Sequence, residues 1–122
     1  MRLLLDTNAL IRWHFDELRP AAVDAVRQAD LVVVSAVSAW EIAIKRALGK
    51  LKMEDTVEEL TEQYGFLALA VTIRHGDVLR NLPRHHRDPF DRLLTVQALD
   101  EGLTILTSDR QFEPYRVPVV WA

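Results

Sequence analysis

Four carboxylic acids, Asp6, Glu41, Asp91 and Asp109, stand where a short apolar run or a helix start has just brought the chain to an edge. Asp6 closes Arg2-Leu-Leu-Leu, and Glu41 follows the run Leu31-Val-Val-Val-Ser35. Asp91 falls in the first turn of a helix opened by Asp88-Pro89, and Asp109 comes just after Leu103-Thr-Ile-Leu-Thr107. If those edges meet, several carboxylates share a small space, and their repulsion has to be neutralised by protons or cations. The chain has no cysteine, and hard carboxylate oxygens without thiolates select magnesium or manganese over zinc. Magnesium keeps water and phosphate oxygens among its ligands, so such a cluster points to phosphoryl chemistry on a nucleotide or nucleic acid. Asn8 and Thr107 are neutral oxygen donors placed to support it.

Each acid also has a purely structural reading. Ser38-Ala-Trp-Glu41 fits a capping box, Asp91 would favour the positive end of a helix capped by Asp88, and Asp109 would cap the turn Arg110-Gln-Phe. Asp6 is harder to account for alone, because an acid ending a buried strand is costly to desolvate without a partner. The common edge is what favours function over separate structural roles.

Other machinery is missing. The four glycines, at 49, 65, 76 and 102, compose neither a Gly-x₄-Gly-Lys loop nor a Gly-x-Gly-x-x-Gly turn, and no Gly-x-Ser-x-Gly elbow exists. The four histidines lack zinc-site spacing, His85 and His86 being adjacent. Around them runs a basic strip, Arg84, His85, His86, Arg87 and Arg92, that abuts Asp91 and suits a phosphodiester backbone; a solvated loop paired with local acids is its structural alternative. Trp40 is expected in the core of its apolar helix, while Trp13 and Trp121 suit either packing or base stacking.

The elements that must position these groups alternate. Residues 2–6, 31–35, 66–71, 103–107 and 117–120 read as short strands, with Pro118 pushing the last to an edge. Helical spacing covers 9–15, 20–29, the segment from Ser38 to Gly49, 55–64, 72–82 and the segment from Pro89 to Gly102. Strands separated by helices predict a three-layer α/β/α architecture around a mostly parallel, five-stranded sheet, with residues 1–122 as a single domain. At 49% hydrophobic and 27% charged residues the chain carries enough apolar material for a packed core. A net charge of −3 argues against a general nucleic-acid coat protein but not against an enzyme whose acids hold metal. The lack of cysteine, of a secretory apolar segment and of any stretch able to cross a bilayer leads to the expectation of a soluble, cytoplasmic protein.

Taken together, Leu-Leu-Asp6-Thr-Asn8, Val37-Ser-Ala-Trp-Glu41-Ile-Ala-Ile-Lys, His86-Arg-Asp-Pro-Phe-Asp91-Arg-Leu-Leu and Leu103-Thr-Ile-Leu-Thr-Ser-Asp109 resemble, in order and spacing, the PIN-domain ribonucleases. More narrowly the chain resembles the VapC-type toxins of toxin–antitoxin pairs, over essentially its whole length. The resemblance implies a magnesium- or manganese-dependent endoribonuclease, dimerisation and inhibition by a VapB-type antitoxin. It further implies that Asp6, Glu41 and Asp91 are core acids with Asp109 as the fourth, a position where asparagine also occurs in the family. Asp91 rather than Asp88 takes the motif position before Leu-Leu. Two rivals follow from the residues: a phosphatase using Asp6 as a nucleophile, and a noncatalytic binding module whose acids are caps.

Overall fold

The computed structural model describes residues 1–122. Its centre is β1 (Arg2–Leu5), a strand buried on both sides. Side chains alternate across a strand, so Leu3 and Leu5 pack with Val32, Val34 and Leu106 on one face while Leu4 packs with Val33 and Ile105 on the other. A continuous apolar run is therefore what this position demands. Each of these leucines is fully buried, a contribution of about 1.5–3 kcal/mol per side chain.

Flanking β1 are β2 (Leu31–Ser35) and β4 (Thr104–Thr107), with β3 (Leu67–Leu69) and β5 (Val119–Trp121) at the edges; all four pairings are parallel, in the order β3-β2-β1-β4-β5. The chain begins in the middle, builds outward through β2 to β3, then crosses back to β4 on the other side of β1. The strand order thus reverses between β1 and β4, and a crevice opens beyond the carboxyl ends of such a pair.

Helices α1 (Thr7–His14), α2 (Pro20–Gln28) and α4 (Val57–Tyr64) supply the apolar residues Ala9, Leu10, Ala22, Val26 and Leu60 to one face of the sheet. The other face is covered by α6 (Pro89–Glu101), through Leu94 and Ala98, and by the 3₁₀ turn Arg110–Tyr115, through Phe112 and Tyr115. Between β2 and α4 runs α3 (Ala36–Ala47), which gives Val37 to one layer and Ile42 to the other. α5 (Ile73–Leu79) packs beside α6. The predicted α/β/α arrangement is observed. No helix is long and apolar enough to cross a membrane.

Several boundaries differ from the sequence expectation, each for a local reason. α1 starts at Thr7 rather than residue 9 because Asp6 itself is the N-cap, its Oδ1 accepting the Ala9 N–H at 2.7 Å. α4 starts after Thr56, which forms a capping box with Glu59. α5 stops at Leu79 instead of Leu82 because the chain then tightens into turns, the Asn81 N–H donating to the Val78 carbonyl at 3.0 Å and the Leu82 N–H to the Leu79 carbonyl at 3.1 Å. The third strand is confined to Leu67–Leu69, and the last begins at Val119, after Pro118, whose carbonyl accepts the Ile105 N–H at 2.9 Å. The largest correction concerns α3. Ser35, not Ser38, is its cap, accepting the Val37 N–H at 3.0 Å, so the Ser38–Glu41 capping box does not form. Ser38 lies within the helix and its hydroxyl meets that of Thr7 at 3.0 Å.

Candidate acidic active site

Sheet pairing does the first part of the assembly. The Asp6 N–H donates to the Leu106 carbonyl at 3.1 Å, continuing the β1–β4 ladder one residue past the strand. That register sets the Asp6 side chain beside Thr107, whose hydroxyl donates to Asp6 Oδ2. The same Thr107 oxygen accepts the Asp109 N–H at 2.9 Å. Asp109 does cap the following turn, as its structural reading holds, with Oδ1 accepting the Gln111 N–H at 2.9 Å; its Oδ2 is left to face inward.

Asp91 comes from the opposite wall. Asp88 caps α6, its Oδ1 accepting the N–H groups of Phe90 at 2.8 Å and Asp91 at 3.3 Å, with Pro89 at the first helical position. One turn of helix then aims Asp91 toward Asp109. Glu41 lies in the second turn of α3 and is buried; its Oε2 meets the Lys45 ammonium at 3.1 Å, whereas Oε1 is buried without any hydrogen-bond partner. Lys45 also reaches Asn8 Oδ1 at 3.5 Å, which puts the exposed Asn8 at the rim.

The crowding of the acids shows in the ionisation of Asp91 and Asp6. Burial pushes the Asp91 carboxyl up to about 8, with Asp88, Asp6, Glu41 and Asp109 adding to the rise. Asp6 is also raised, again chiefly by burial; its hydrogen bonds from Thr107 and Ala9 oppose the shift, and Asp109 and Glu41 reinforce it. Two carboxyls held above their usual range, beside an unpaired buried carboxylate oxygen, form an oxygen-only donor set short of positive charge. A hard divalent cation fits that set.

Not every residue of the basic strip does what its sequence suggests. His86 is buried, not displayed: its Nε2–H points at Asp109 Oδ2 at 2.9 Å and Asp91 Oδ2 at 3.0 Å. Arg92 is spent on the loop, donating to the carbonyls of Pro83 at 2.9 Å and Leu82 at 3.3 Å and to the Tyr115 hydroxyl at 3.3 Å. Both leave the set of free backbone-binding groups because the loop between α5 and α6 folds inward around them. Arg84, His85 and Arg87 remain exposed, the His85 ring lying against Tyr115. Trp40 is also corrected: it is 60% exposed and packs edge-on to Phe90 rather than in the core. Trp13 packs against Tyr64 and Phe66, and Trp121 lies under the Arg110 guanidinium.

A second grouping, His75 with Asp100 and Glu101, belongs to the packing of α5 on α6. His75 Nδ1 accepts the Thr72 N–H at 3.0 Å in a capping box, and Nε2 faces Glu101 at 3.2 Å. With Nδ1 accepting, the hydrogen sits on Nε2, so the ring donates there and is not free to ligate.

Comparison with known proteins gives the family and the fold. The family model for the PIN domain matches residues 3–117. Ribonuclease VapC22 of Mycobacterium tuberculosis is 27% identical, the alignment covering 98% of each chain. In fold, the chain is similar to VapBC2 from Rickettsia felis bound to a promoter DNA fragment, with TM-score 0.69, 12% identity and 99% and 98% of the two chains covered. It is likewise similar to a toxin–antitoxin complex from Klebsiella pneumoniae, with TM-score 0.68, 16% identity and 97% and 95% covered. Family match and crevice together identify the protein at this level: the chain belongs to the PIN-domain family.

Proposed function

We propose that this protein is a divalent-metal-dependent endoribonuclease and the toxin of a toxin–antitoxin pair. The observation that carries the reading is the buried acid cluster at the β1–β4 crevice, with the Asp91 carboxyl pushed up to about 8 and Glu41 Oε1 unpaired. Asp6, Glu41, Asp91 and Asp109 would hold magnesium or manganese, which when bound supplies charge stabilisation at the reacting phosphoryl oxygens and an activated water.

The remaining work falls to the chain's own groups. Thr107 and the Ala9 N–H fix both oxygens of Asp6, so the carboxylate is presented without rotational freedom. Lys45 offsets part of the negative charge at Glu41. Exposed Arg84 and Arg87 would hold the RNA backbone on the loop leading to Asp91. Water attacks phosphorus in line, the bond to the 3′ oxygen breaks, and that oxygen takes up a proton, leaving a 5′-phosphate and a 3′-hydroxyl. Single-stranded or looped RNA suits a small domain better than the deep groove of a duplex.

Support for a VapB-type protein partner comes from the likeness to toxin–antitoxin complexes. Homodimerisation and a cytoplasmic location belong to the same reading, and the exposed Trp40, Ile44 and Leu48 on one side of α3 offer an apolar stripe for assembly. The test is incubation of the purified protein with a mixed cellular RNA pool, with and without magnesium, followed by mapping of the new ends. New 5′-phosphate ends that need the metal and vanish in Asp6→Asn are expected; equal cleavage by the folded variant overturns the metal assignment.

A further inference from the structure

His86 stands with Asp91 and Asp109 in the crevice but has no part in the function proposed above. It lies in the segment between α5 and α6, is 6% exposed, and is held at three points. Its backbone N–H donates to the Tyr115 hydroxyl at 2.6 Å, and its Nδ1 accepts the Asp88 N–H at 3.1 Å. The ring also lies edge-on to Phe112. Because Nδ1 accepts, the ring hydrogen resides on Nε2. That N–H is shared between Oδ2 of Asp91 and Oδ2 of Asp109, one oxygen from each wall of the crevice.

A cation bridging the same two oxygens would meet the Nε2 hydrogen head-on, and a nitrogen bearing hydrogen has no lone pair to offer in the ring plane. Resting on the metal-binding reading above, we infer that His86 occupies the cation seat between Asp91 and Asp109 and must withdraw its Nε2–H for a divalent ion to load. His86 is thus a positioning residue that keeps the two acids together in the metal-free protein and lowers metal affinity by competing for their oxygens. Loading frees the imidazole, while Tyr115 and Arg92 keep the loop backbone anchored.

Two variants separate this role from simple packing. In His86→Asn the side-chain carbonyl can still accept the Asp88 N–H, but nothing reaches the acids. In His86→Gln the longer amide restores an N–H toward them. The measurement is the Mn²⁺ dissociation constant by calorimetric titration at one pH and ionic strength, on variants confirmed folded by circular dichroism. His86→Asn is expected to bind Mn²⁺ about tenfold more tightly than wild type, the factor typical of one lost charge-assisted hydrogen bond. His86→Gln is expected to return toward the wild-type value. A merely structural histidine would leave affinity unchanged or weaker in His86→Asn, and that result overturns the inference. If wild type and both variants bind no Mn²⁺, the metal reading itself falls and takes the inference with it; wild-type binding with no gain in His86→Asn removes the inference alone.

Discussion

The Thr107 hydroxyl donates to Asp6 Oδ2 while its oxygen accepts the Asp109 N–H, so one side chain at the end of β4 fixes two acids that lie 103 positions apart in the chain (109 − 6). The link exists because β1 and β4 pair in parallel and end together. Replacing Thr107 with valine keeps the shape and removes both contacts. The variant should unfold with about 1–3 kcal/mol less stability, the cost of leaving buried polar groups unpaired, as read by urea denaturation. An unchanged midpoint would mean that water replaces the hydroxyl.

Asp6→Asn separates chemistry from folding. Asparagine caps helices as well as aspartate does, so α1 should start at the same place and thermal stability should stay near wild type. RNA cleavage should fall by roughly a hundredfold or more, because stabilisation of the reacting oxygens by metal amounts to several kcal/mol. Circular dichroism and initial cleavage rates check the two halves independently.

Stability should depend on pH through Asp91. Its carboxyl is near 3.8 in the unfolded chain and about 8 in the folded one, so between those values the native state holds a proton that the unfolded state has released. This contribution is complete below about 4 and is lost as pH rises through about 8; Asp6, also raised, acts in the same direction. In a chelator, the melting temperature should therefore decline across that window, and Asp91→Asn should flatten the decline. A melting temperature that climbs steadily from pH 5 to 8 in wild type would contradict the burial of this acid.

Arg84 and Arg87 are exposed on the loop that leads to Asp91. Changing both to alanine should weaken binding of a single-stranded RNA and reduce the steepness of its salt dependence by roughly one to two released counterions. Melting temperature should not move. Binding isotherms at several salt concentrations measure the slope, and an unaltered slope would place the RNA path elsewhere.

Much of this arrangement was legible in the residues. Apolar runs ending in Asp6 and shortly before Asp109 identify strands buried on both faces, and Asp88-Pro89 marks the helix start that delivers Asp91. The inward turn of His86 was not legible, because it depends on Tyr115, 29 positions away, and on the anchoring of the loop by Arg92. α3 misleads for a different reason. Its buried side carries Ser38 and Glu41 beside Val37 and Ile42, while Trp40, Ile44 and Leu48 are exposed. An apolar stripe read from periodicity puts Trp40 inside; the fold puts a carboxylate there instead, and local pattern gives way in this manner at functional surfaces.

Crystals of the protein soaked in Mn²⁺ and measured for anomalous scattering would locate the cation itself. A peak is expected within bonding distance of carboxylate oxygens from Asp91 and Asp109, with Asp6 or Glu41 completing the shell and the His86 ring turned away. A fully soaked crystal with no peak in that crevice, or with its only peak at His75, Asp100 and Glu101, would rule out a metal seat among these acids.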